Sequence, residues 1–279
     1  LALLFLFAIA VTASCGGGGG GGGGNGGGGA PSGGGGGGST PINELYVSNG
    51  NSITVYSRTA DGNIAPVRTI TGAATNLSAS RGIAVDTANN EIFVANWGSN
   101  SITVYSRTAD GNIAPVRTIT GAGTNLNSPF GITLDTANNE IFVANWANSI
   151  TVYSRTADGN IAPVRTITGA GTNLSAPLGI ALDIANNEIF VANATNDSIT
   201  VYSRTADGNI APVRTITGAA TNLNAPYGIA LDTANNEIFA VNFFNSITVY
   251  SRTADGNIAP ARTITGAATN LNAPYGIAL

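Results

Sequence analysis

Short runs rich in β-branched and aromatic residues alternate along this chain with clusters of Gly, Asn, Asp and Pro. Runs of this kind, bounded by turn-forming residues, are typical of β-strands. In one representative stretch, the pattern predicts four strands at residues 131–135, 140–145, 149–155 and 163–169. Asp158 and Gly159 lie between the last two of these strands. Because Gly adopts a positive φ at little cost, the pair predicts a hairpin turn there.

This strand pattern is repeated. The heptapeptide Ser-Ile-Thr-Val-Tyr-Ser-Arg begins at residues 52, 101, 149, 198 and 246, at intervals of 49, 48, 49 and 48 residues. A regular period near 48 residues with no helical pattern predicts a repeat architecture made of strands. Four antiparallel strands in a repeat of this length predict the blade of a β-propeller.

The two ends of the repeat region match each other. Residues 39–49 align with residues 86–96, which contain a second strand, whereas residues 275–279 correspond to a first strand. We therefore expect an all-β fold over residues 39–279: a propeller of four-stranded antiparallel blades, with five blades closed by pairing of the N-terminal and C-terminal strands. The sequence contains no Met, so its true start is expected to be missing. The alternative is therefore a fragment of a propeller with six to eight blades.

Three segments carry a resemblance to a known family. Residues 226–232, 236–242 and 246–250 resemble the NHL and YVTN classes of bacterial β-propeller repeat, in which Gly-Ile-Ala-Leu-Asp and Ile-Phe-Val-Ala-Asn are typical strands. The resemblance covers residues 39–279 and implies a propeller, commonly one with six or seven blades. It does not imply one activity, because the family includes lyases, lactone hydrolases and many binding scaffolds.

The start of the chain predicts export. Residues 1–11 are all apolar, too few to span a bilayer but typical of the core of a signal peptide. The small residues Thr12, Ala13 and Ser14 then precede Cys15, and this segment resembles a bacterial lipobox, although Thr12 stands where Leu is usual. We expect residues 1–14 to be a signal peptide and Cys15 to be lipidated. The protein would then be anchored at the cell surface or outer membrane. The alternative is an ordinary signal peptide followed by an incidental Cys.

Residues 16–38 contain 19 glycines. Such a segment cannot bury enough apolar surface to fold, so we expect residues 15–38 to form a flexible tether behind the lipidated Cys. No strand precedes this run and no Lys follows it, which excludes a phosphate-binding loop.

Composition excludes several kinds of chemistry. The chain has no His, a single Cys and 11 basic residues, all of them Arg. Catalysis by His, Schiff-base chemistry and zinc sites with imidazole ligands therefore have no candidate residue. The net charge of −4 and the absence of a basic cluster argue against nucleic acid as a partner. Carboxylate or hydroxyl chemistry, or a hard cation such as calcium on oxygen ligands, remains open. No resident metal or cofactor is predicted.

Nearly all carboxylates occupy repeated positions, at the ends of first strands, in turns and at the starts of second strands. A residue needed once for chemistry is not expected in every repeat, so these acids are interpreted as structural. The repeated arginines are interpreted as their ion-pair partners. No catalytic residue is predicted.

Candidate binding residues are those that break the repeat. They follow second strands or precede first strands, and antiparallel strand order places both sets of loops on one face. The predicted ligand-binding set is Trp97, Trp146, Phe130, Tyr227, Tyr275, Phe243, Arg81 and Asp197, with Phe244 next to Phe243. Aromatic and Arg side chains on a rigid scaffold suit a glycan, a peptide or a protein. The alternative is that the aromatic rings pack inward and that Arg81 and Asp197 are solvated charges.

Two function classes follow. The first is a membrane-anchored extracytoplasmic binding or scaffold propeller that uses the loops of one face. The second is a hydrolase or lyase propeller built on carboxylates around a bound cation. The near-identity of the repeats favours the first, because catalysis requires an asymmetric set of residues. A purely structural repeat array is a third reading.

Overall fold

The computed structural model describes residues 43–279, and the strands in this range form five antiparallel sheets. The predicted signal peptide, Cys15 and the predicted tether lie outside the described residues. The first blade consists of β1 (Glu44–Ser48), β2 (Ser52–Ser57) and β3 (Arg68–Thr71). The second to fifth blades contain four strands each. Their bounds are β4 (Ser80–Asp86), β5 (Glu91–Asn96), β6 (Ser101–Ser106) and β7 (Arg117–Thr120); β8 (Pro129–Asp135), β9 (Glu140–Asn145), β10 (Ser149–Ser154) and β11 (Arg165–Thr168); β12 (Pro177–Asp183), β13 (Glu188–Asn193), β14 (Ser198–Ser203) and β15 (Arg214–Thr217); β16 (Pro226–Asp232), β17 (Glu237–Asn242), β18 (Ser246–Ser251) and β19 (Arg262–Thr265).

Short 3₁₀ turns connect the blades or follow a strand. They lie at Ala73–Thr75, Trp97–Ser99, Ala122–Thr124, Ala170–Thr172, Ala219–Thr221 and Ala267–Thr269. Within residues 43–279, no helix is long and apolar enough to cross a membrane.

The middle strands are buried on both faces. In β9, Ile141, Phe142, Val143 and Ala144 are all fully buried. A strand with one solvated face would alternate between apolar and polar residues, whereas a strand covered on both faces is apolar throughout. The continuous apolar run in β9 therefore records that the third blade is packed between two neighbours.

The innermost strands approach one another so closely that they require glycine. A Cβ atom on Gly131 of β8 would lie 2.2 Å from the carbonyl oxygen of Leu178, and one on Gly179 would lie 2.5 Å from that of Tyr227. Glycine is the residue that allows backbone to approach backbone at this distance. The Gly in each first strand therefore sets how tightly the blades converge on the axis.

One set of polar contacts joins each blade to the next. Between the second and third blades, the backbone N–H of Thr118 donates to the Asp158 carboxylate at 2.8 Å, and the Tyr153 hydroxyl donates to the Thr124 carbonyl at 2.5 Å. The Arg155 guanidinium contacts Glu91 at 2.7 Å. These contacts support the structural interpretation of the repeated acids and arginines.

The Asp158–Gly159 pair differs from its predicted role. Gly159 has the expected positive φ of 77°, but β10 ends at Ser154 and β11 begins at Arg165, so the connection is far longer than a two-residue turn. Instead, Gly159 forms an isolated bridge to Ile119 on β7 of the preceding blade. The Asp-Gly pair therefore docks one blade on another rather than closing a tight hairpin.

The predicted all-β propeller with five antiparallel blades is confirmed. One detail differs from the prediction: the hydrogen-bonded sheet of the first blade contains three strands, and residues 275–279 are not in a strand. Among the described residues, therefore, the expected pairing of residues 275–279 with β1 is not formed. Residues 275–279 pack instead against the fifth blade, where the Tyr275 carbonyl lies 2.8 Å from the position of a Cβ on Gly228.

Candidate functional site

Seven aromatic side chains meet on one face of the propeller, at the end of the central cavity. We call this cluster the aromatic mouth; its members are Trp97, Phe130, Trp146, Tyr227, Phe243, Phe244 and Tyr275. Every predicted aromatic site residue belongs to it. The repeat-breaking positions of the second, third and fifth blades and of the C-terminal segment are therefore brought together in one surface.

Strand direction explains why two separate sets of residues converge. Phe130 and Tyr227 are the second residues of the inner strands β8 and β16, whereas Trp146 and Phe243 directly follow second strands. The backbone joins the two sets, because the N–H of Trp146 donates to the Ser128 carbonyl at 3.0 Å. Each loop that follows a second strand is therefore fixed next to the loop that enters the same blade.

The rings form a continuous series of contacts. Trp146 lies 5.4 Å from Trp97, measured between ring centroids, and Trp97 lies 5.9 Å from Phe130. Phe130 lies 6.1 Å from Tyr227, which in turn contacts Tyr275 at 4.9 Å. Most of these pairs are edge to face, the arrangement that the ring quadrupoles favour. The mouth is therefore a mutually packed surface rather than a set of independent side chains.

Arg81 supplies the positive charge of the mouth. Its guanidinium carbon lies 5.6 Å from the Trp97 ring centroid and 5.8 Å from that of Phe130, both within cation–π range. Burial lowers the pKa of Arg81 from its ordinary value, but a guanidinium stays charged at any physiological pH. Burial also raises the pKa of Tyr227 and of Tyr275. The mouth at neutral pH is therefore a cation set among neutral rings.

The mouth leads into a central cavity of about 350 Å³. Gly, Ala, Val, Ile and Leu residues of the inner strands and of residues 275–279 line most of this cavity, and Thr133, Tyr227 and Tyr275 carry its polar side-chain groups. Leu178 occupies the position that Phe130 and Tyr227 occupy in their own blades, and it is fully buried. Leu178 is absent from the predicted site set, although its place before the inner-strand Gly is a signal that could have identified it.

The mouth is partly open to solvent. Phe244 is 59% exposed and Trp146 is 40% exposed, whereas Trp97, Phe130, Tyr227, Phe243 and Tyr275 are half-buried. The alternative in which the rings pack inward therefore describes part of the cluster. The rim remains available for contact with a partner.

Asp197 has a different environment from the aromatic mouth. It lies in the exposed loop after β13, and its carboxylate accepts a hydrogen bond from the Ala225 N–H at 2.7 Å. Asn148 makes the same contact with the Ala176 N–H at 2.8 Å. Asp197 thus performs the loop-fixing role that Asn performs in other blades.

Several other carboxylates serve the blade interfaces. Asp86, Asp135 and Asp183 are buried, and each lies beside an Arg of the following blade, as in the 2.9 Å contact between Asp135 and Arg204. Across residues 43–279, no group of three or more His, Cys, Asp or Glu side chains is arranged to hold a metal ion.

Comparison with known proteins identifies the fold. The structure is similar to a chain in the crystal structure of a nidogen/laminin complex, with a TM-score of 0.62 and 16% sequence identity, covering 85% of this chain and 80% of that chain. It is also similar to the WD40 β-propeller domain of Doa1, with a TM-score of 0.57 and 13% identity, covering 80% of this chain and 66% of that chain. The fold is a β-propeller.

A third similar structure is a functionally unknown protein from Desulfotomaculum acetoxidans DSM 771. Its TM-score is 0.56 and its identity 14%, and 80% of this chain and 67% of that chain are covered. No protein-family model matches the sequence, and no curated protein matches it. The resemblance of this propeller to the NHL and YVTN repeat classes therefore stays a prediction.

Proposed function

We propose that this propeller is a binding scaffold whose aromatic mouth takes up an apolar segment of a peptide or protein. One observation carries the proposal: a continuous aromatic cluster surrounds the entrance to an apolar cavity and holds a half-buried cation, Arg81, at its edge. Aromatic and Arg side chains in such settings dominate the binding energy of protein interfaces. One structural neighbour comes from a complex of two proteins, nidogen and laminin, which supports this use of the fold.

The geometry favours a peptide over a glycan. Sugar stacking needs an exposed ring face, but the rings of Trp97, Phe130 and Tyr227 are turned toward one another. The cavity walls are largely aliphatic and would leave sugar hydroxyls without hydrogen-bond partners, at a cost of about 1–3 kcal/mol for each group. An apolar side chain meets neither obstacle. Arg81 adds a preference for a carboxylate next to that side chain.

The proposal includes anchoring at the membrane surface through Cys15. It is supported by the apolar run at residues 1–11, the small residues before Cys15 and the Gly-rich segment behind it. Expressed with a start codon and a positively charged segment added in front of residue 1, the protein should partition with membranes, and Cys15→Ala should release it or stall its processing. Equal partitioning of both forms, with no lipid mass on the mature N-terminus, would remove the anchor from the proposal.

A peptide array and a glycan array, probed with the same protein, test the binding function. Phe130→Ala opens the centre of the mouth and Arg81→Gln removes its charge. Val164→Ala, at a 58% exposed apolar position outside the mouth, is the matched control. We expect peptides that pair a large apolar residue with Asp or Glu to bind the parent and the control.

Phe130→Ala should weaken this binding about tenfold or more, which corresponds to roughly 1.4 kcal/mol. The Arg81→Gln variant should no longer prefer peptides that contain Asp or Glu. Glycan binding without peptide binding, or unchanged peptide binding by Phe130→Ala at an unchanged melting temperature, contradicts the proposal.

A further inference from the structure

The central cavity is long and narrow. Inner strands contribute runs of consecutive residues to its wall, as from Phe130 to Leu134 in β8. Five residues of an extended strand span about 13 Å, at a rise of about 3.3 Å per residue. A volume of about 350 Å³ over this length gives a mean cross-section of about 27 Å², which corresponds to a width of about 6 Å.

Backbone contact between the inner strands keeps the cavity narrow. A Cβ atom on Gly179 would lie 2.5 Å from the Tyr227 carbonyl oxygen, and one on Gly82 would likewise meet the Phe130 carbonyl oxygen. A strand within a sheet occupies about 4.8 by 10 Å in cross-section, and an α-helix is about 10–12 Å across. Neither fits inside the cavity, whereas a single unbranched hydrocarbon chain does.

The wall favours hydrocarbon along the whole length of the cavity. At the end away from the mouth, its lining residues are aliphatic: Val85, Leu134, Leu182, Leu231 and Leu279. No Asp, Glu or Arg side chain lines the cavity within residues 43–279. Each CH₂ group that leaves water for such a wall therefore favours binding.

The depth of the cavity exceeds the reach of a peptide side chain. With bonds of about 1.5 Å, a Phe side chain reaches roughly half of the 13 Å depth. An extended saturated chain of about ten carbon atoms reaches all of it. A ligand that fills the cavity is therefore an aliphatic chain rather than an amino-acid side chain.

The entrance to the cavity carries one cation and two hydroxyl groups. The Arg81 guanidinium carbon lies 5.8 Å from the ring centroid of Phe130, which lines the cavity. Burial lowers the pKa of Arg81, and Coulombic interaction with Tyr275 and Tyr227 opposes that change, so both phenol groups lie near the guanidinium. Guanidinium and phenol groups donate hydrogen bonds, and a carboxylate accepts them. The entrance therefore suits a single carboxylate.

We propose that the cavity binds an unbranched aliphatic monocarboxylic acid of about ten carbon atoms, with its chain along the propeller axis and its carboxylate at the Arg81 entrance. The narrow bore selects an unbranched chain, the depth sets its length and the cation selects the acid. This site goes beyond the proposed peptide function, because the acid lies below the mouth and its binding requires no peptide.

Isothermal titration calorimetry of the full chain with hexanoate, octanoate, decanoate, dodecanoate and tetradecanoate, all below micelle formation, tests the length of the site. Each two added CH₂ groups should tighten binding about tenfold up to decanoate. Tetradecanoate should bind no more tightly than dodecanoate, because a chain longer than the cavity buries no further CH₂ groups in it. One acid should bind per chain.

Two variants test the two ends of the site. The parent should bind octanoate about tenfold or more tightly than 1-octanol, and Arg81→Gln should remove this preference while keeping the affinity for 1-octanol. Thr133→Phe places a ring near the inner end of the cavity and should weaken binding of decanoate more than that of hexanoate. Val164→Phe, at a 58% exposed position outside the cavity, is the matched control and should bind like the parent.

Several results would overturn the proposal. Affinity that keeps rising through tetradecanoate would show adsorption to an apolar surface instead of a cavity of fixed length. Equal affinity of the parent for octanoate and 1-octanol, unchanged decanoate binding in a folded Thr133→Phe variant, or no binding of any acid would contradict it as well. If Thr133→Phe lacks the parental melting transition, the chain-length series of the parent and of Val164→Phe decides. Peptide arrays without a signal would overturn the peptide function and leave this site unaffected.

Discussion

Ile167 and Ile264 occupy the same position in two repeats but differ in burial, so replacing each with Ala measures what an interblade interface contributes. Ile167 is fully buried and packs with Phe142, Val152 and Tyr202 in the core between the third and fourth blades. Ile264, at 48% exposure, has no equivalent neighbour in the described structure. The sequence around both residues is Arg-Thr-Ile-Thr, so local strand propensity cancels from the comparison.

The expected costs differ by severalfold. Truncating a buried Ile to Ala removes favourable transfer energy and leaves a cavity, at a cost of about 2–5 kcal/mol. Ile264→Ala should cost about 1 kcal/mol, since roughly half of the 1.5–3 kcal/mol available from full burial is realised and no enclosed cavity is left. For a domain of this size, about 1 kcal/mol shifts the melting temperature by roughly 2–4 °C. Ile167→Ala should therefore lower the melting temperature by about 4–20 °C and Ile264→Ala by about 2–4 °C.

Thermal and urea unfolding at low protein concentration, where contact between molecules is minimal, provide the measurement. An unchanged urea m-value would show that both variants unfold from the same compact state. Equal losses of stability at the two positions would refute the reasoning, because they would mean that Ile264 is buried within a single molecule and that the fifth blade is packed against the first.

Three further predictions concern the scaffold. Burial raises the pKa of Tyr105, Tyr153, Tyr202 and Tyr250 to about 12 from the ordinary value of 10.0, so the unfolded chain loses these protons first. The stability that these buried tyrosines contribute to the folded protein is complete below about pH 10 and is lost as the pH rises toward about 12. The melting temperature should therefore fall over this range of pH, and it should fall less in the Tyr153→Phe variant. Asn145→Ala should cost about 1–3 kcal/mol, because the buried Thr151 hydroxyl is left unpaired, and a urea midpoint equal to that of the parent would contradict this. Gly131→Ala should cost about 1–3 kcal/mol or more in thermal unfolding, because its Cβ would lie 2.2 Å from a backbone oxygen, and a neutral effect would show that the inner strands can separate.

The amino-acid sequence alone was sufficient to predict the blade. The predicted strand at 140–145 coincides with β9, and the predicted strand at 149–155 exceeds β10 by one residue. Strand propensity and turn residues are local properties, and the repeat period added the strand count, so no tertiary information was needed. The repeat period also separated the structural acids from the candidate binding aromatics. Residues that make contacts between blades recur in the repeats, whereas the aromatic residues break the repeat.

Only the tertiary structure decided how the blades meet. The Asp158–Gly159 pair suggested a tight hairpin from its local preference, but the carboxylate is used by the N–H of Thr118 in the preceding blade. Local propensity carries no information about that distant partner. Identical sequence also left Ile167 and Ile264 indistinguishable, although one is buried and the other exposed, because burial depends on which surface the next blade covers. Convergence of rings from several blades on one cavity likewise depends on the rotation between blades, which arises from packing across interfaces rather than from any single repeat.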